Sequence, residues 1–221
     1  MNNECRTGIL GGRFDPVHLG HLRTAAVAQR VLDLDRVLLL PSKVSPHRAT
    51  PARATDTDRL AFVTLAATSS PYLSPCDLEL ESDGPSYTSV TLDRLLDQGH
   101  RPTQLFFIVG ADAFAEITSW HQYPSVLDRA HFVVVSRPGN SVANLVRDLP
   151  DLRERMQKGI RDSEKLSLST DIEPTVFLID AKTPDVSSTD IRTRVAKGKP
   201  LADLVPTNVA TYIKHHGLYE R

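Results

Sequence analysis

The sequence predicts an α/β fold with a doubly wound parallel sheet. Short β-rich runs alternate with segments whose apolar residues recur at helical spacing, which is typical of βαβ units. The runs at 106–109, 132–135 and 176–179 are almost continuously apolar, as expected of strands that are covered on both faces. The residues with the most distinctive chemistry follow predicted strands directly, where sheets of this kind bind their ligands.

The predicted elements alternate along the chain until a long charged segment. Besides the three apolar runs, they are strands at 7–10, 36–40 and 105–109, helices at 16–34, 58–67 and 88–98, and an extended stretch at 72–80. The charged segment 139–174 is longer than most connections in a compact domain, so we expect a partly helical insertion or a flap there, although a solvated surface excursion is the simpler alternative. A C-terminal helical part is expected from about residue 188.

Length and composition limit the function classes. A chain of 221 residues is long enough for one well-buried domain, so we expect residues 1–221 to form a single domain. A net charge of −1 gives no excess of cations for a nucleic-acid partner. The sequence has neither a leader-like N-terminus nor a run of about 18 apolar residues, so we expect a cytoplasmic protein without a membrane partner. The sequence does not decide whether the chain forms a homo-oligomer, because dimer surfaces leave no reliable short motif.

The first motif is GGRFDPVHLGH at residues 11–21. Gly11 and Gly12 lack a Cβ, which lets the backbone turn sharply and approach a phosphate. Pro16 suits the first position of a helix, whose amides favour an anion. His18 and His21 then share one face of that helix and can donate hydrogen bonds to the same phosphate oxygens. The motif predicts a phosphate site, although a lone histidine pair would more simply cap a surface helix.

The second motif is VSSTDIR at residues 186–192. Ser187 or Ser188 can cap the helix that follows, and the amides of that helix can hold an anion. Arg192, one turn into the helix, can bridge phosphate oxygens with its fork of donors. Alone, this string is typical of an ordinary helix cap. Together with the first motif it predicts anchors for both ends of a triphosphate, as nucleotidyl transfer requires.

The His-x-Gly-His pattern at 18–21 resembles the nucleotidyltransferase superfamily, in which ATP or CTP is attacked at its α-phosphate and pyrophosphate leaves. The Ser-Ser-Thr-x-Ile-Arg string at 187–192 is similar to the C-terminal signature of nicotinate and nicotinamide mononucleotide adenylyltransferases. Further matches in order are PSK through PHR at 41–48, GPSYT at 84–88, GADA with a Trp at 110–120, RPG at 137–139 and YI through LY at 212–219. The sequence is therefore identified as a member of the bacterial nicotinate-nucleotide adenylyltransferase family, with a Rossmann-like nucleotidyltransferase fold.

The resemblance implies a role for each site residue. His18, His21 and Arg192 are the implied catalytic residues, with the histidines at the α-phosphate and the arginine at the β- and γ-phosphates. Trp120 is expected to stack on the pyridine ring of nicotinate mononucleotide, whose carboxylate would meet the amides around Tyr87 and Thr88. Mg²⁺ is expected mainly on the phosphates of ATP, without protein ligands. The remaining implied contacts with ATP are Gly11, Gly12, Arg13, Phe14, Asp15, Lys43, His47, Gly110, Asp112, Ser187, Ser188 and Thr189.

Three positions depart from the family pattern. Arg13 stands where Thr or Ser is usual, Asp83 where many members have a basic residue, and Arg48 where Lys is usual. A phosphopantetheine adenylyltransferase or a cytidylyltransferase would share the first motif but lack the Ser-Tyr-Thr and Trp features. A non-catalytic nucleotide-binding sensor of the same fold would follow if Arg13 blocked productive ATP binding.

Overall fold

A computed structural model describes residues 5–46, 50–169 and 172–220. Among these residues one sheet has seven strands, in the order β3-β2-β1-β4-β5-β7-β6, so the winding reverses after β3. The pairs β1–β4, β4–β5, β5–β7 and β6–β7 are parallel. The doubly wound α/β sheet predicted from the sequence is confirmed. The strands are β1 (Thr7–Gly12), β2 (Arg36–Pro41), β3 (Leu73–Pro75), β4 (Leu105–Gly110), β5 (His131–Val135), β6 (Met156–Arg161) and β7 (Val176–Asp180).

The described residues also form α-helices and short 3₁₀ helices. The α-helices are α1 (Leu19–Leu32), α2 (Asp56–Ala67), α3 (Thr88–Asp97), α4 (Ala111–Phe114), α5 (Leu145–Asp148), α6 (Ser188–Ala196) and α7 (Thr207–His215). The 3₁₀ helices are Pro102–Gln104, Ile117–Ser119, Ser125–Asp128, Val142–Asn144 and Pro150–Arg155. None of the helices in the described residues has the length and apolar character needed to cross a membrane.

The chain divides into two compact units. The first unit comprises the described residues of Met1–Leu10, Thr24–Val37 and Tyr87–Thr183. The second unit comprises those of Gly11–Arg23, Leu38–Ser86 and Pro184–Arg221. The single-domain interpretation of residues 1–221 stays a prediction.

The core of the first unit is built on the three apolar runs that predicted strands. Every residue of β4 and β5 is buried, and β7 is buried from Val176 to Ile179. The ring of Phe132 packs against Phe107 and Phe114, with centroids 5.6 and 5.9 Å apart. Continuous apolar runs are therefore required here, because both faces of these strands are covered.

The charged segment 139–174 contributes a strand that the sequence did not predict. Within it, β6 pairs with β7 as an edge strand, and only Ile160 of its six residues is buried. The stretch after β6 is attached to the end of α1, since Lys165 lies 2.8 Å from Asp33 and the amide of Leu166 donates to the carbonyl of Val31. A polar edge strand lacks the apolar pattern by which strands are recognised in a sequence.

In the second unit, α1 begins at Leu19 and not at about Pro16 as predicted. The carbonyl of His18 accepts the amides of His21 and Leu22, which closes the first turn after His18. The amide of Leu19 donates to the carbonyl of Leu204 at 2.9 Å. The start of α1 is therefore set by a tertiary contact and by His18, and the preference of proline for a first helical position does not decide it.

The second unit packs α7 against α2. A capping box formed by Thr55 and Asp58 fixes the start of α2. The ring of Phe62 on α2 contacts Tyr212 and Tyr219, with centroids 5.6 and 6.4 Å apart. This aromatic cluster brings the C-terminal residues of the chain into the core of the unit.

A buried histidine in the first unit makes the stability of the fold sensitive to pH. His131 has no exposed surface, and its ring stacks on Phe106 with centroids 4.6 Å apart. Nδ1 of His131 accepts the amide of Thr175 at 3.0 Å. Burial, with a smaller contribution from the charge of Arg6, lowers the pKa of His131 from 6.5 to about 4.

We therefore expect acid to destabilise the fold through His131. Between pH 6.5 and about 4 the unfolded chain binds a proton at this residue while the folded chain does not. The free energy of unfolding should fall by about 1.4 kcal/mol per pH unit in that window through this group. Urea denaturation across the window would measure it in the wild type and in His131→Gln, which keeps an acceptor but cannot titrate. Equal pH slopes for the two proteins would contradict the assignment.

Candidate active site

The first motif forms a turn at the end of β1 in the second unit. Phe14 has a φ of 45° and is 1% exposed, and its ring meets that of His21 edge-on with centroids 4.9 Å apart. Phe14 therefore supports a histidine from within the core and cannot contact a ligand with its ring. The expected contact of Phe14 with ATP stays a prediction, and the buried ring leaves the backbone of this residue as the part that could make it. A Cβ on Gly12 would meet only ordinary contacts with the same ring, so the structure does not require glycine there.

His18 and His21 hold each other in place at the start of α1. The amide of His18 donates to Nδ1 of His21 at 3.2 Å, and the amide of His21 lies 3.3 Å from Nδ1 of His18. Their rings stack with centroids 3.6 Å apart. Since each Nδ1 accepts, the ring proton of each neutral histidine is assigned to Nε2. Each ring can thus donate an Nε2–H to an anion without being charged.

Gly20 is required by the packing of these rings. A Cβ on Gly20 would lie 3.0 Å from Nδ1 of His18 and 3.5 Å from the carbonyl oxygen of Pro184. The first distance is tighter than nearly all real Cβ contacts. The amides expected to hold an anion at this helix start are used within the protein, because those of Leu19 and His21 have protein acceptors. The histidine rings are therefore the better candidates for donors to phosphate.

The second motif is hydrogen-bonded to the first. Ser187 caps α6 by accepting the amide of Asp190 at 3.1 Å. The hydroxyl of Ser188 donates to the carbonyl of Pro16 at 2.9 Å. Nη1 of Arg192 donates to the carbonyl of Asp15 at 2.7 Å, and Nη2 donates to Oγ1 of Thr189 at 3.1 Å. The two predicted phosphate anchors thus come together within the second unit.

Asp15 faces protein donors instead of a ligand. Its carboxylate accepts the amides of Arg53 and Ala54 at 2.8 and 3.0 Å and the hydroxyl of Tyr219 at 2.7 Å. The residue is 1% exposed. A buried carboxylate surrounded by donors shapes the turn and would repel phosphate, so the contact of Asp15 with ATP stays a prediction that the carboxylate itself does not support. Nη2 of Arg13 lies 3.9 Å from the same carboxylate.

The loop after β2 carries Lys43. Its amide donates to the hydroxyl of Ser86 at 3.0 Å, and a β-bridge joins Val44 to Pro85. Nζ of Lys43 lies 4.0 Å from the carboxylate of Asp83, which is fully exposed. An ion pair of this length in water contributes little to stability, so it does not fix the side chain of Lys43 in one position. The predicted site residue His47, with Arg48, lies outside the described residues.

In the first unit, the predicted pyridine-binding residues lie at the start of α3 and directly after the 3₁₀ helix Ile117–Ser119. Thr88 begins α3, and its N-cap residue Tyr87 makes no side-chain cap hydrogen bond. The ring of Tyr87 stacks on His121 with centroids 4.4 Å apart, and Nδ1 of His121 lies 2.8 Å from the hydroxyl of Ser89. Trp120 is partly buried, and its ring meets Phe107 edge-on at 6.1 Å.

Gly110 and Asp112 follow β4 in the same unit. A Cβ on Gly110 would lie 2.5 Å from Oδ1 of Asp112 and 2.8 Å from Nε of Arg137, so a side chain there would displace both of these polar side chains. The carboxylate of Asp112 lies 3.8 Å from the guanidinium of Arg137. This pairing would order the loop after β4, and the implied contact of Asp112 with ATP stays a prediction.

The comparisons with known proteins agree with the two motifs. A family model described as cytidylyltransferase-like matches residues 9–194. The chain is 40% identical over 212 residues to a probable nicotinate-nucleotide adenylyltransferase of Roseiflexus sp. (strain RS-1), with 96% of each chain covered. It is 35% identical to a protein of the same description from Desulfatibacillum aliphaticivorans, with 97% of this chain and 99% of that one covered.

The chain belongs to the nicotinate-nucleotide adenylyltransferase family. This confirms the family identified from the sequence motifs. The fold is similar to that of Plasmodium falciparum nicotinic acid mononucleotide adenylyltransferase complexed with NaAD, with a TM-score of 0.69, 15% identity and 97% of both chains covered. At that identity the likeness supports the fold alone.

In this member of the adenylyltransferase family, the sequence alone did not identify Arg59 as a residue that supports the candidate site. Arg59 lies on α2 with no exposed surface. Nη1 donates to the carbonyls of Arg13 and Ser42, and Nη2 donates to Asp56 at 2.6 Å. The side chain therefore ties the turn after β1 to the loop after β2. In the sequence it looks like any helical arginine. His121 was missed for a similar reason, since a single histidine in a polar stretch carries no pattern.

We expect Arg59→Met to destabilise the fold. The substitution keeps an apolar stem but removes this donor from the carbonyl of Arg13 and from the buried carbonyl of Ser42. The free energy of unfolding should fall by about 2 to 4 kcal/mol, measured by urea denaturation. The matched control is Arg153→Met, which removes an exposed arginine. The control should stay within about 0.5 kcal/mol of the wild type, and an equally small effect at Arg59 would refute its linking role.

Proposed function

We propose that the chain transfers the adenylyl group of ATP to nicotinate mononucleotide, which yields nicotinate adenine dinucleotide and pyrophosphate in NAD biosynthesis. The proposal depends chiefly on one observation. The His18 and His21 turn is hydrogen-bonded to the Arg192 helix through the carbonyls of Asp15 and Pro16. Hydrogen-bond donors for phosphate from two distant chain segments are thereby held next to each other, as the transfer of a nucleotide requires. Membership of the family supports the same reaction.

The reaction is a direct in-line displacement. A phosphate oxygen of nicotinate mononucleotide attacks the α-phosphorus of ATP, the new O–P bond forms, and the bond to the bridging oxygen of the β-phosphate breaks. Nε2–H of His18 and of His21 would donate to the oxygens of the α-phosphate as their charge grows in the transition state. Arg192 would hold the β- and γ-phosphates, which leave as pyrophosphate. No protein nucleophile is needed.

The acceptor nucleotide would be recognised in the first unit. Trp120 offers a face for the pyridine ring, and stacking of a base on an aromatic ring is worth roughly 1 to 3 kcal/mol. The start of α3 at Tyr87 and Thr88 is not capped by a side chain, so its amides suit the carboxylate of nicotinate. Nicotinamide would present an NH₂ group to these donors. The arrangement favours the acid over the amide.

The donor set of the second unit fits Mg²⁺ that is carried by ATP. No group of three or more His, Cys, Asp or Glu residues in the described parts of the chain could hold a metal ion. The carboxylate of Asp15 is occupied by three protein donors. Mg²⁺ bound to the phosphates and to water would neutralise their charge and assist the departure of pyrophosphate. The residues described above bind the phosphates and not the metal.

The proposed function is tested by pyrophosphate release with ATP and Mg²⁺. Parallel reactions receive nicotinate mononucleotide, nicotinamide mononucleotide or phosphopantetheine, and mass spectrometry identifies the products. We expect the highest kcat/KM with the nicotinate form. Turnover only with phosphopantetheine would support the other adenylyltransferase. A folded protein that binds ATP but turns over none of the three would support the sensor interpretation.

Each site histidine accepts a backbone amide at Nδ1 and is proposed to donate to phosphate from Nε2. Substitution can separate these two functions. Asn in place of His18 or His21 keeps an acceptor near the position of Nδ1 but has no donor near Nε2. Each Asn variant should melt close to the wild type and lose on the order of 10² to 10³ in kcat, measured by pyrophosphate release. The Gln variants place an NH₂ near Nε2 and should retain more activity than Asn.

His215→Asn is the control for these variants, because His215 is exposed at the end of α7. Its kcat should equal that of the wild type. If His18→Asn and His21→Asn were as active as this control, neither imidazole would act in the transition state.

A further inference from the structure

Tyr219, near the C-terminus, reaches the centre of the first motif. Its hydroxyl donates to Oδ1 of Asp15 at 2.7 Å, and the two residues are 7% and 1% exposed. Burial and the charge of Asp15 both raise the pKa of Tyr219, so the hydroxyl stays protonated and donates. Tyr219 has a φ of 67°, which is uncommon for a bulky residue. The ring contact with Phe62 and the bond to Asp15 hold it in this conformation.

The carboxylate of Asp15 also lies close to two arginines. Oδ2 is 3.7 Å from Nη1 of Arg192 and 3.9 Å from Nη2 of Arg13. Arginine and carboxylate usually close to a shorter, often bidentate pair. Here Arg192 instead donates to the carbonyl of Asp15 and to Thr189. The carboxylate already has the Tyr219 hydroxyl and two backbone amides as donors, so it does not draw the guanidinium closer.

We infer that Tyr219 is a positioning residue for the phosphate site, because its hydroxyl satisfies Asp15 and thereby leaves the Arg192 guanidinium directed toward phosphate. The inference rests on the proposed function. Without the hydroxyl, Oδ1 keeps only the amide of Ala54. The under-satisfied carboxylate then pulls Arg192 into a closer ion pair, which competes with the β- and γ-phosphates for its donors. Tyr219 itself touches no substrate in this scheme.

Tyr212 supplies a matched control on the same aromatic cluster. Its hydroxyl donates to Oδ1 of Asp58 at 3.1 Å, and its ring also packs on Phe62. Tyr212→Phe and Tyr219→Phe each remove one hydroxyl from an aspartate and keep the ring. They differ in whether that aspartate lies beside Arg192, and also in burial, because Tyr219 and Asp15 are buried whereas Tyr212 and Asp58 are partly exposed. A purely structural role of the Tyr219 hydroxyl would lower the stability of the variant without changing its phosphate affinity at a temperature where it is folded.

The test compares steady-state kinetics and the binding of inorganic tripolyphosphate, measured by calorimetry at a temperature where circular dichroism shows every variant folded. Tyr219→Phe should bind tripolyphosphate about tenfold more weakly and have a kcat/KM for ATP about tenfold lower. Its KM for nicotinate mononucleotide should not change. Tyr212→Phe should match the wild type in all three measurements.

A double-mutant cycle with Arg192→Ala isolates the route of the effect. If Tyr219 acts through Arg192, Tyr219→Phe should weaken tripolyphosphate binding no further once Arg192 is gone. Additive losses, or wild-type affinity in the single Tyr219→Phe variant, would overturn the inference. Absence of turnover in the wild type would refute the proposed function instead, and the tripolyphosphate affinities would still decide the role of Tyr219.

Discussion

A buried carboxylate is costly unless protein donors surround it, and a carboxylate next to a turn proposed to bind phosphate is costlier still. The carboxylate of Asp15 is in both situations, and two backbone amides and the hydroxyl of Tyr219 stabilise it by donating hydrogen bonds. Its backbone carbonyl then accepts from Arg192, and the next carbonyl, that of Pro16, accepts from Ser188. Segments that are far apart in the chain are thus fixed to one residue. The placement of the histidine turn relative to the arginine helix therefore depends on the backbone of Asp15 and Pro16, whose position the buried carboxylate fixes through its own donors.

The same turn also fixes the tautomer of the two histidines. Each ring uses Nδ1 to accept a backbone amide of the other, so the tautomer needed for donation from Nε2 follows from the fold. Stacked neutral rings avoid the repulsion that two imidazolium ions would suffer at a centroid distance of 3.6 Å. Gly20 permits this packing, since a Cβ there would crowd the ring of His18. The spacing of the motif is therefore explained by packing as well as by chemistry.

The sequence predicted those parts of the molecule that depend on local pattern. The continuous apolar runs gave β4, β5 and β7, and the two phosphate motifs proved to be joined by hydrogen bonds. Parts that depend on tertiary contacts were not predictable. The start of α1 depends on the carbonyl of Leu204, and β6 is too polar to be recognised as a strand. Arg59 looks like any other arginine until the fold surrounds it with carbonyl oxygens. The assigned roles of the site residues stay predictions, because geometry without substrate does not test them.

The charge balance of the turn bears on the unusual residue Arg13. Where the family usually places a small hydroxyl, this chain places a cation whose guanidinium lies 3.9 Å from Asp15. Arg192 lies at a similar distance from the same carboxylate. Both guanidiniums therefore lie less than 4 Å from one buried carboxylate. A cation beside the turn would attract a triphosphate, and such attraction is stronger where water is partly excluded. We therefore expect Arg13 to assist the proposed phosphate binding and not to block it, which favours the enzyme over the non-catalytic sensor.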